Sequence, residues 1–253
     1  MPKEFQITAS IVLFNENIDE LRKCIKSFLS IPHLKKLFLI DNSSTDILKS
    51  QFENIEIEYI FNGKNLGFGT AHNLIINKIR YNSEYHLILN PDVIFEPQII
   101  SKLIGELRKK NDVAIIAPKV ISPDGKIQYS CRKYPTFFEL FSRRIGIFKK
   151  YTQNREYRNT DLKQSFYPDF IQGSFLLFKT NDFVKINGFD ERYFLYMEDV
   201  DICKKLDTIN KRKLYFPEVE IVHIHKKESS KNILLFFIHL QSIIKYFYKW
   251  GLK

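Results

Sequence analysis

Acidic side chains crowd one short stretch of this 253-residue chain. Asp190 and Glu191 are followed by Glu198, Asp199 and Asp201, and aromatic residues lie between the two groups. On a helix, Glu198 and Asp201 would share a face, whereas Asp199 would point about 100° away. A carboxylate among apolar neighbours can act as a general base on a hydroxyl. The alternative is that these acids only complement the dipole at the N-terminus of a helix.

Two further motifs could hold a divalent cation. Asn90-Pro91-Asp92 ends a very apolar segment, and a carboxylate at such a position suits a hard cation that bridges a diphosphate. His223 and His225 end another β-like segment, where residues two apart share a face of the strand. Ordinary alternatives stay open for both motifs. Asn, Pro and Asp are common in strand-ending turns, and a histidine can be purely structural.

The elements that must position these residues alternate between strand and helix. The predicted strands are 7–14, 37–41, 57–61, 86–90, 113–117, 174–178 and 219–224. The predicted helices are 17–30, 69–80, 97–110, 182–187 and 199–209, the first of them capped by Asn17. This alternation predicts an α/β protein with a mostly parallel sheet covered on both faces. Such sheets bind ligands at the carboxyl ends of their strands, where the polar motifs fall.

Composition and glycine spacing exclude several classes of protein. Hydrophobic residues at 44% and 23 phenylalanines exclude intrinsic disorder. The Gly67-Phe68-Gly69 run does not complete the dinucleotide fingerprint, and no P-loop motif is present. The net charge is +10 but is spread along the chain, so we expect no nucleic-acid partner.

Cysteine usage and hydropathy bear on where the protein works. Three cysteines without a paired motif are typical of proteins in a reducing compartment. The first residues lack an apolar run long enough for a signal peptide. We therefore expect a cytoplasmic protein. Polar residues interrupt the apolar segment 233–250, which excludes a spanning helix. Residues 231–253 are predicted to form a basic amphipathic helix that contacts a membrane surface, a second copy in a homodimer or its own domain.

Taken in order, these motifs resemble the family 2 inverting glycosyltransferases with the GT-A fold, and most of all their bacterial rhamnosyltransferase-like branch. The resemblance covers about residues 7–225. The motifs that carry it are Phe14-Asn15, Asp41-Asn42-Ser43-Ser44-Thr45-Asp46, Asn65-Leu66-Gly67-Phe68-Gly69, Asn90-Pro91-Asp92-Val93, Gly173-Ser174-Phe175-Leu176-Leu177 and the run from Gly188 to Asp201. It implies a nucleotide-sugar half at 1–117 and an acceptor and catalytic half at 118–230. The amphipathic helix follows at 231–253.

The resemblance also implies a role for each matching residue. Asp199, beside Glu198, would be the catalytic base, while Asp92 and His223 would hold Mn²⁺ or Mg²⁺, with His225 as a further candidate ligand. Asn90 stands where many members of the family have the first Asp of a D-x-D-like motif. The residues that would contact the nucleotide-sugar are Phe14, Asn15, Asp41, Asn42, Asn65, Gly67, Phe68, Asn73, Asn90 and Gly173.

The implied reaction is the inverting transfer of a sugar, with rhamnose among the candidates. The donor would be a dTDP- or UDP-sugar. The acceptor would be a glycan or lipid-linked molecule of O-antigen or capsule synthesis, at the inner face of the cell membrane. One alternative is a sugar-nucleotide nucleotidyltransferase, which should carry a glycine-rich basic loop where this chain has Phe14-Asn15-Glu16-Asn17. The other is a relative that only binds nucleotide-sugars, which the intact Glu198, Asp199 and His223 argue against.

Overall fold

A mixed β-sheet forms the centre of the computed structural model, which describes residues 3–52, 54–136, 153–224 and 233–252. The strands are β1 (Phe5–Leu13), β2 (Lys35–Asp41), β3 (Ile57–Phe61), β4 (Ser83–Leu89), β5 (Val93–Ile94), β6 (Val113–Ile121), β7 (Ile127–Gln128), β8 (Cys131–Arg132), β9 (Phe170–Ile171), β10 (Phe175–Lys179) and β11 (Arg212–His223). The helices are α1 (Ile18–Leu29), α2 (Phe68–Asn73), α3 (Ile76–Ile79), α4 (Gln98–Lys109), α5 (Thr180–Lys185), α6 (Glu198–Asp207) and α7 (Ile233–Trp250).

Strand directions bring the polar motifs to one edge of the sheet. The strand order is β3-β2-β1-β4-β10-β6-β11-β5, with β7 paired to β6. Strands β1 to β4 are parallel, β6 and β11 are parallel to each other, and β10 runs antiparallel between β4 and β6. The carboxyl ends of β1, β2, β4, β6 and β11 therefore meet at one edge, where β10 begins. Five motif-bearing segments start or end there.

The predicted elements are present with three differences, the first of which is that the predicted helix 69–80 is divided into α2 and α3. Asn17 caps α1, because its side-chain oxygen accepts hydrogen bonds from the amides of Asp19 and Glu20 at 3.0 and 3.1 Å. Strand β11 begins at Arg212, whereas the sequence predicted a start at 219. The prediction began late because Pro217 interrupts the strand pattern, and in the structure the pairing register shifts between Phe216 and Glu220. The antiparallel β10 was not indicated by the alternation of strands and helices. Its pairing registers with β4 and β6 show the antiparallel direction.

Helices cover both faces of the sheet. On one face α1 and α4 contribute Leu21, Phe28 and Leu103 to a hydrophobic layer that also contains the odd-numbered residues of β1 from Ile7 to Leu13. On the other face α3, α5 and α6 contribute residues such as Phe183 and Leu206 to a second hydrophobic layer, which also receives Tyr246 of α7. The layered α/β prediction is thereby confirmed. The division of residues 1–230 into two halves stays a prediction, since strands from both halves alternate within one sheet.

Two fully buried histidines contact the polar side chains of β1 in the interior of the protein. Ser10 Oγ is 2.7 Å from His72 Nδ1 and 3.0 Å from His86 Nε2, and Thr8 Oγ1 is 2.9 Å from His86 Nδ1. Burial lowers the pKa of His86 to about 3 and lowers that of His72 well below its usual range. Both rings are therefore neutral in the folded protein at ordinary pH.

These histidines make the stability of the fold sensitive to acid. When the pH is below the ordinary histidine pKa of about 6.5, these two histidines are protonated in the unfolded chain but stay neutral in the native state. We expect the free energy of unfolding to fall as the pH drops from 6 to 4, by up to about 2.7 kcal/mol per pH unit from this pair. Urea unfolding at a series of pH values measures the slope. His86→Asn should remove about half of this contribution, and an unchanged slope would contradict the assignment.

Candidate active site

A cleft of about 1000 Å³ opens at the edge where the strand ends meet. Twelve of the fifteen predicted site residues line it, namely Phe14, Asn15, Asn42, Asn65, Gly67, Phe68, Asn90, Asp92, Gly173, Glu198, Asp199 and His223. Asp41 and Asn73 do not line it. His225 lies outside the described residues. Residues as far apart in sequence as Phe14 and His223 are therefore brought into one cavity.

The floor of the cleft is a network of asparagine side chains. Asn42 donates to Asn65 Oδ1 at 3.3 Å and to the Gly67 carbonyl at 3.2 Å, and it accepts from Asn62 at 2.8 Å. Asp41 lies below this floor with no exposed surface. Its carboxylate accepts from the Ser43 amide at 2.8 Å and from the Tyr59 hydroxyl. Its observed contacts hold the end of β2 and the loop that follows.

Asn73 does not line the cleft, and its contact with a nucleotide-sugar stays a prediction. Its side-chain oxygen accepts from the Phe189 amide at 2.9 Å, and its nitrogen donates to the Phe189 carbonyl at 2.9 Å. A further bond at 3.2 Å reaches Glu191. Asn73 thus anchors the start of the segment that leads to the acidic pair, because α2 ends beside that segment rather than in the cleft.

Gly67 joins the loop between β3 and α2 to the same segment. Its φ of +84° is left-handed, and an added Cβ would overlap the backbone carbonyl of Phe194. The neighbouring Phe68 amide donates to that carbonyl at 3.1 Å. Phe68 then packs edge-on against His72, with ring centroids 4.4 Å apart. The two sides of the cleft therefore touch backbone to backbone at this glycine.

A strained turn presents the acidic pair. Tyr196 and Met197 both have a φ of +68°, a conformation that costs a non-glycine residue roughly 1–2 kcal/mol. Helix α6 begins immediately afterwards with Glu198 and Asp199. Strain of this kind persists only where surrounding contacts hold it. It places both carboxyl groups at the helix start, facing the cleft.

The two carboxyl groups have different surroundings. The amide of Val200 donates to Asp199 Oδ1 at 2.8 Å, and the Gly173 backbone and the Arg132 cation act to lower the pKa of Asp199. Glu198 is buried, and its Oε2 has no hydrogen-bond partner. Burial and the adjacent Asp199 raise the pKa of Glu198. Burial also raises the pKa of Asp199, but its amide donors and Arg132 oppose that rise. The pair thus favours a proton on Glu198 and a negative charge on Asp199.

Asp92 and His223 both line the cleft and face each other, with Asp92 Oδ1 3.3 Å from His223 Nε2. Gln128 holds the ring, since its nitrogen donates to the His223 carbonyl at 2.8 Å and its oxygen lies 3.1 Å from Nδ1. An amide oxygen only accepts, so in the neutral ring Nδ1 carries the hydrogen and Nε2 keeps its lone pair. A carboxylate oxygen and an imidazole nitrogen at this separation suit a divalent cation.

The protein supplies only part of such a cation site. Within the described ranges, no group of three or more His, Cys, Asp or Glu side chains could hold a metal ion. A cation at Asp92 and His223 would therefore need further oxygen ligands from a bound substrate and from water, as Mg²⁺ and Mn²⁺ commonly accept. On the chemistry of its donors, the pair fits a substrate-bridging metal.

Several cleft residues were missed by sequence reasoning. Gln128 orients His223, and Arg132 and Arg158 both pair with the buried Glu156, at 3.5 and 2.7 Å. The basic and aromatic character of the stretch 118–170 was the available signal, but it did not single these residues out. They come from short β-pairs and loops, which carry no periodic pattern.

A pair of glycine variants tests the backbone contact at Gly67. Gly63 and Gly67 both have positive φ, but a Cβ at Gly63 would meet only the Phe61 ring, at 3.6 Å or more. Both alanine variants share the left-handed strain of about 1–2 kcal/mol. We expect Gly67→Ala to lose about 1–3 kcal/mol more in the free energy of unfolding, because it must displace Phe194. Urea unfolding measures this, and equal losses in the two variants would contradict the contact.

Comparison with known proteins gives two curated relatives that are similar along most of the chain. Rhamnosyltransferase WbbL of Escherichia coli strain K12 is 28% identical over 247 residues, which cover 93% of this chain and 90% of the relative. N-acetylglucosaminyl-diphospho-decaprenol L-rhamnosyltransferase of Mycobacterium tuberculosis strain H37Rv is 29% identical over 210 residues. These cover 77% of this chain and 67% of the relative.

Solved structures share the fold at lower identity. The structure of GalNAc-T7 with UDP, GalNAc and Mn²⁺ superposes with a TM-score of 0.70 and 16% identity over 90% of this chain. The mannosyltransferase PcManGT from Pyrobaculum calidifontis, in complex with GDP-Man and Mn²⁺, superposes with a TM-score of 0.64 and 14% identity over 97% of this chain. This chain spans 45% and 64% of those two chains. The expected GT-A fold is confirmed.

The family assignment rests on the sequence itself. Residues 8–178 match the family described as glycosyl transferase family 2. That range contains the predicted nucleotide-side motifs and Asp92, and the cleft built from them continues into Glu198, Asp199 and His223. The chain therefore belongs to glycosyl transferase family 2, and the protein is a glycosyltransferase.

Proposed function

We propose that this enzyme transfers a sugar with inversion from a dTDP- or UDP-sugar to a lipid-linked or growing glycan in bacterial surface polysaccharide synthesis. The observation that carries the proposal is the presence, in one cleft, of the Asp199 carboxylate and of Asp92 and His223, whose donor atoms lie 3.3 Å apart. The first suits activation of an acceptor hydroxyl. The second suits a departing diphosphate.

The relatives support the choice of sugar and acceptor. Both curated relatives are named as rhamnosyltransferases, which favours rhamnose as the transferred sugar. The name of the mycobacterial relative specifies a diphospho-decaprenol acceptor, which favours a lipid-linked acceptor here. Such an acceptor would place the enzyme at the inner face of the cell membrane. The donor would bind mainly to the 1–117 half, and the 118–230 half would complete the acceptor side.

Asp199 is the group that would take the acceptor proton. It lines the cleft, its Oδ1 accepts a hydrogen bond from the Val200 amide, and Arg132 stabilises its negative charge. The acceptor oxygen would attack the anomeric carbon as its proton passes to Asp199, and the bond to the diphosphate would break on the opposite side. A single displacement inverts the configuration and needs no covalent link to the protein. Glu198, protonated, would leave the negative charge localised on its neighbour.

Asp92 and His223 would hold a divalent metal, Mn²⁺ or Mg²⁺, as the donor set allows. When bound, this ion would supply Lewis-acid stabilisation of the leaving diphosphate. Gln128 keeps the ring of His223 oriented with Nε2 towards Asp92. The roles of His225 as a further ligand, and of Asn90 and the asparagine floor as donor contacts, remain part of this proposal.

The role of the proposed base is tested by Asp199→Asn. The amide keeps the size and most hydrogen bonds of the carboxylate but cannot take a proton. We expect kcat for sugar transfer to fall by about 10²–10⁴-fold, the usual contribution of a general base. The Kd for the donor, measured by calorimetry, should stay unchanged.

The matched control is Asp207→Asn at the far end of the same helix, where the carboxylate bonds Lys213 and Tyr134 outside the cleft. It should leave kcat unchanged. Equal loss of transfer and of donor binding in Asp199→Asn would contradict the assignment of this residue as the base.

The metal pair is tested by Asp92→Ala in thermal unfolding with a panel of dTDP-, UDP-, GDP- and CMP-sugars. Ligands that bind the native state raise the melting temperature by mass action. In the unmodified protein we expect the dTDP or UDP class to raise it, and Mn²⁺ or Mg²⁺ to increase that shift. Asp92→Ala should lose the increase that the metal adds.

Asp161→Ala, an exposed aspartate outside the cleft, serves as the control and should respond as the unmodified protein does. A metal response that survives in Asp92→Ala would contradict the pair. Binding of nucleotide-sugars without transfer to any acceptor would favour a relative that only binds. Turnover of a sugar phosphate with a nucleoside triphosphate would favour a nucleotidyltransferase.

A further inference from the structure

Helix α7 presents a polar and aromatic face to the protein. Ser242 donates to the Leu195 carbonyl at 2.8 Å, and the ring of His239 packs on that of Tyr196 at 4.9 Å. Lys249 and Trp250 both donate to the carboxylate of Asp201, at 2.7 to 2.9 Å. The helix thereby contacts the strained turn that precedes Glu198 and Asp199.

The opposite face of α7 is apolar and faces outwards. Ile233, Phe237, Leu240, Ile244 and Tyr248 recur every three or four residues, so they share one side of the helix. Their exposed fractions range from 40% to 89%. The stripe is about 22 Å long at 1.5 Å per residue. A soluble helix normally arranges its faces the other way round, with the apolar side inwards.

An anionic bilayer fits this stripe better than a second copy of the chain. The chain carries a net charge of +10, and three lysines, Lys226, Lys227 and Lys231, come directly before α7 in the sequence. Two copies of a chain with this net charge repel each other, whereas acidic lipid headgroups attract it. The ring of Tyr248 at the end of the stripe is of the amphipathic kind that favours the boundary of a membrane.

The length and polarity of α7 indicate how it would lie. Of the helices that the structure describes, none combines the length and apolar character that crossing a bilayer requires. A helix with one apolar face and a polar inner face instead lies in the plane of the interface, with the apolar side chains among the headgroups and upper acyl chains.

We propose that the outer stripe of α7 is a membrane-binding surface that seats the enzyme on an anionic phospholipid bilayer while the inner face holds the catalytic turn. This proposal rests on the proposed function and extends it, because a lipid-linked acceptor is reached from the bilayer surface. One helix then connects the bilayer to the segment Leu195–Met197 that presents Glu198 and Asp199.

The test is co-sedimentation of the full chain with phosphatidylglycerol-containing vesicles and with pure phosphatidylcholine vesicles. We expect binding to the anionic vesicles that weakens as salt is raised. The double variant Phe237→Ser/Ile244→Ser should bind at least about ten-fold more weakly, because it removes two of the apolar side chains that would insert. The matched control is Ile47→Ser/Ile55→Ser, which removes two side chains that are 72% and 92% exposed in the β2–β3 connection. It should bind as the unmodified protein does.

Each result separates this proposal from the function. Failure of the unmodified protein to bind anionic vesicles, or equal binding by the double variant, would overturn the membrane surface. A dimer in sedimentation that the double variant dissociates, without vesicle binding, would assign the stripe to a second copy and also overturn it. The stabilisation of the double variant by donor sugars reports the cleft alone, so it should persist whether or not the membrane surface is real.

Discussion

A buried carboxylate, that of Asp201, joins the parts of the protein on which the site depends. It has no exposed surface, and it accepts hydrogen bonds from Lys249 and Trp250 of α7 and from Tyr193. A buried ion pair adds little net stability compared with apolar packing, but removing one partner commonly costs about 3–5 kcal/mol. The pair therefore acts as a constraint on geometry. It fixes α6, α7 and the approach to the strained turn in one arrangement.

The neighbouring acidic side chains differ in their burial and in their hydrogen-bond partners. Asp190 pairs with Arg192 and Lys249 on the outside of the segment, and Asp201 forms the buried anchor. Glu198 is buried with one oxygen unpartnered, and Asp199 faces the cleft with amide donors around it. Helix-dipole complementation applies to all the acids of the first turn of α6, so it cannot distinguish them. Burial and specific donors do distinguish them.

The cleft itself follows from strand direction. Because the carboxyl ends of the parallel strands and the amino end of β10 share an edge, short polar motifs as far apart in sequence as those of Phe14 and His223 converge on one cleft. Gly67 and Asn73 then attach the 62–69 loop and α2 to the segment that carries the acids. Another part of the cleft lining comes from short β-pairs and loops, with Gln128, Arg132 and Arg158. These elements have no sheet periodicity of their own.

The order and hydropathy of the residues were sufficient to predict most strands and helices, the Asn17 cap and the polar motifs at strand ends, because these depend on local periodicity and on residues near in sequence. The resemblance of the motifs then indicated the family. Only the tertiary structure decided that Asp41 and Asn73 serve as internal contacts and that Gln128 orients His223. It also gave Glu198 and Asp199 different surroundings and turned the apolar side of α7 outwards. These outcomes depend on which distant groups meet in space, and on the burial and charge that follow, which no local pattern records.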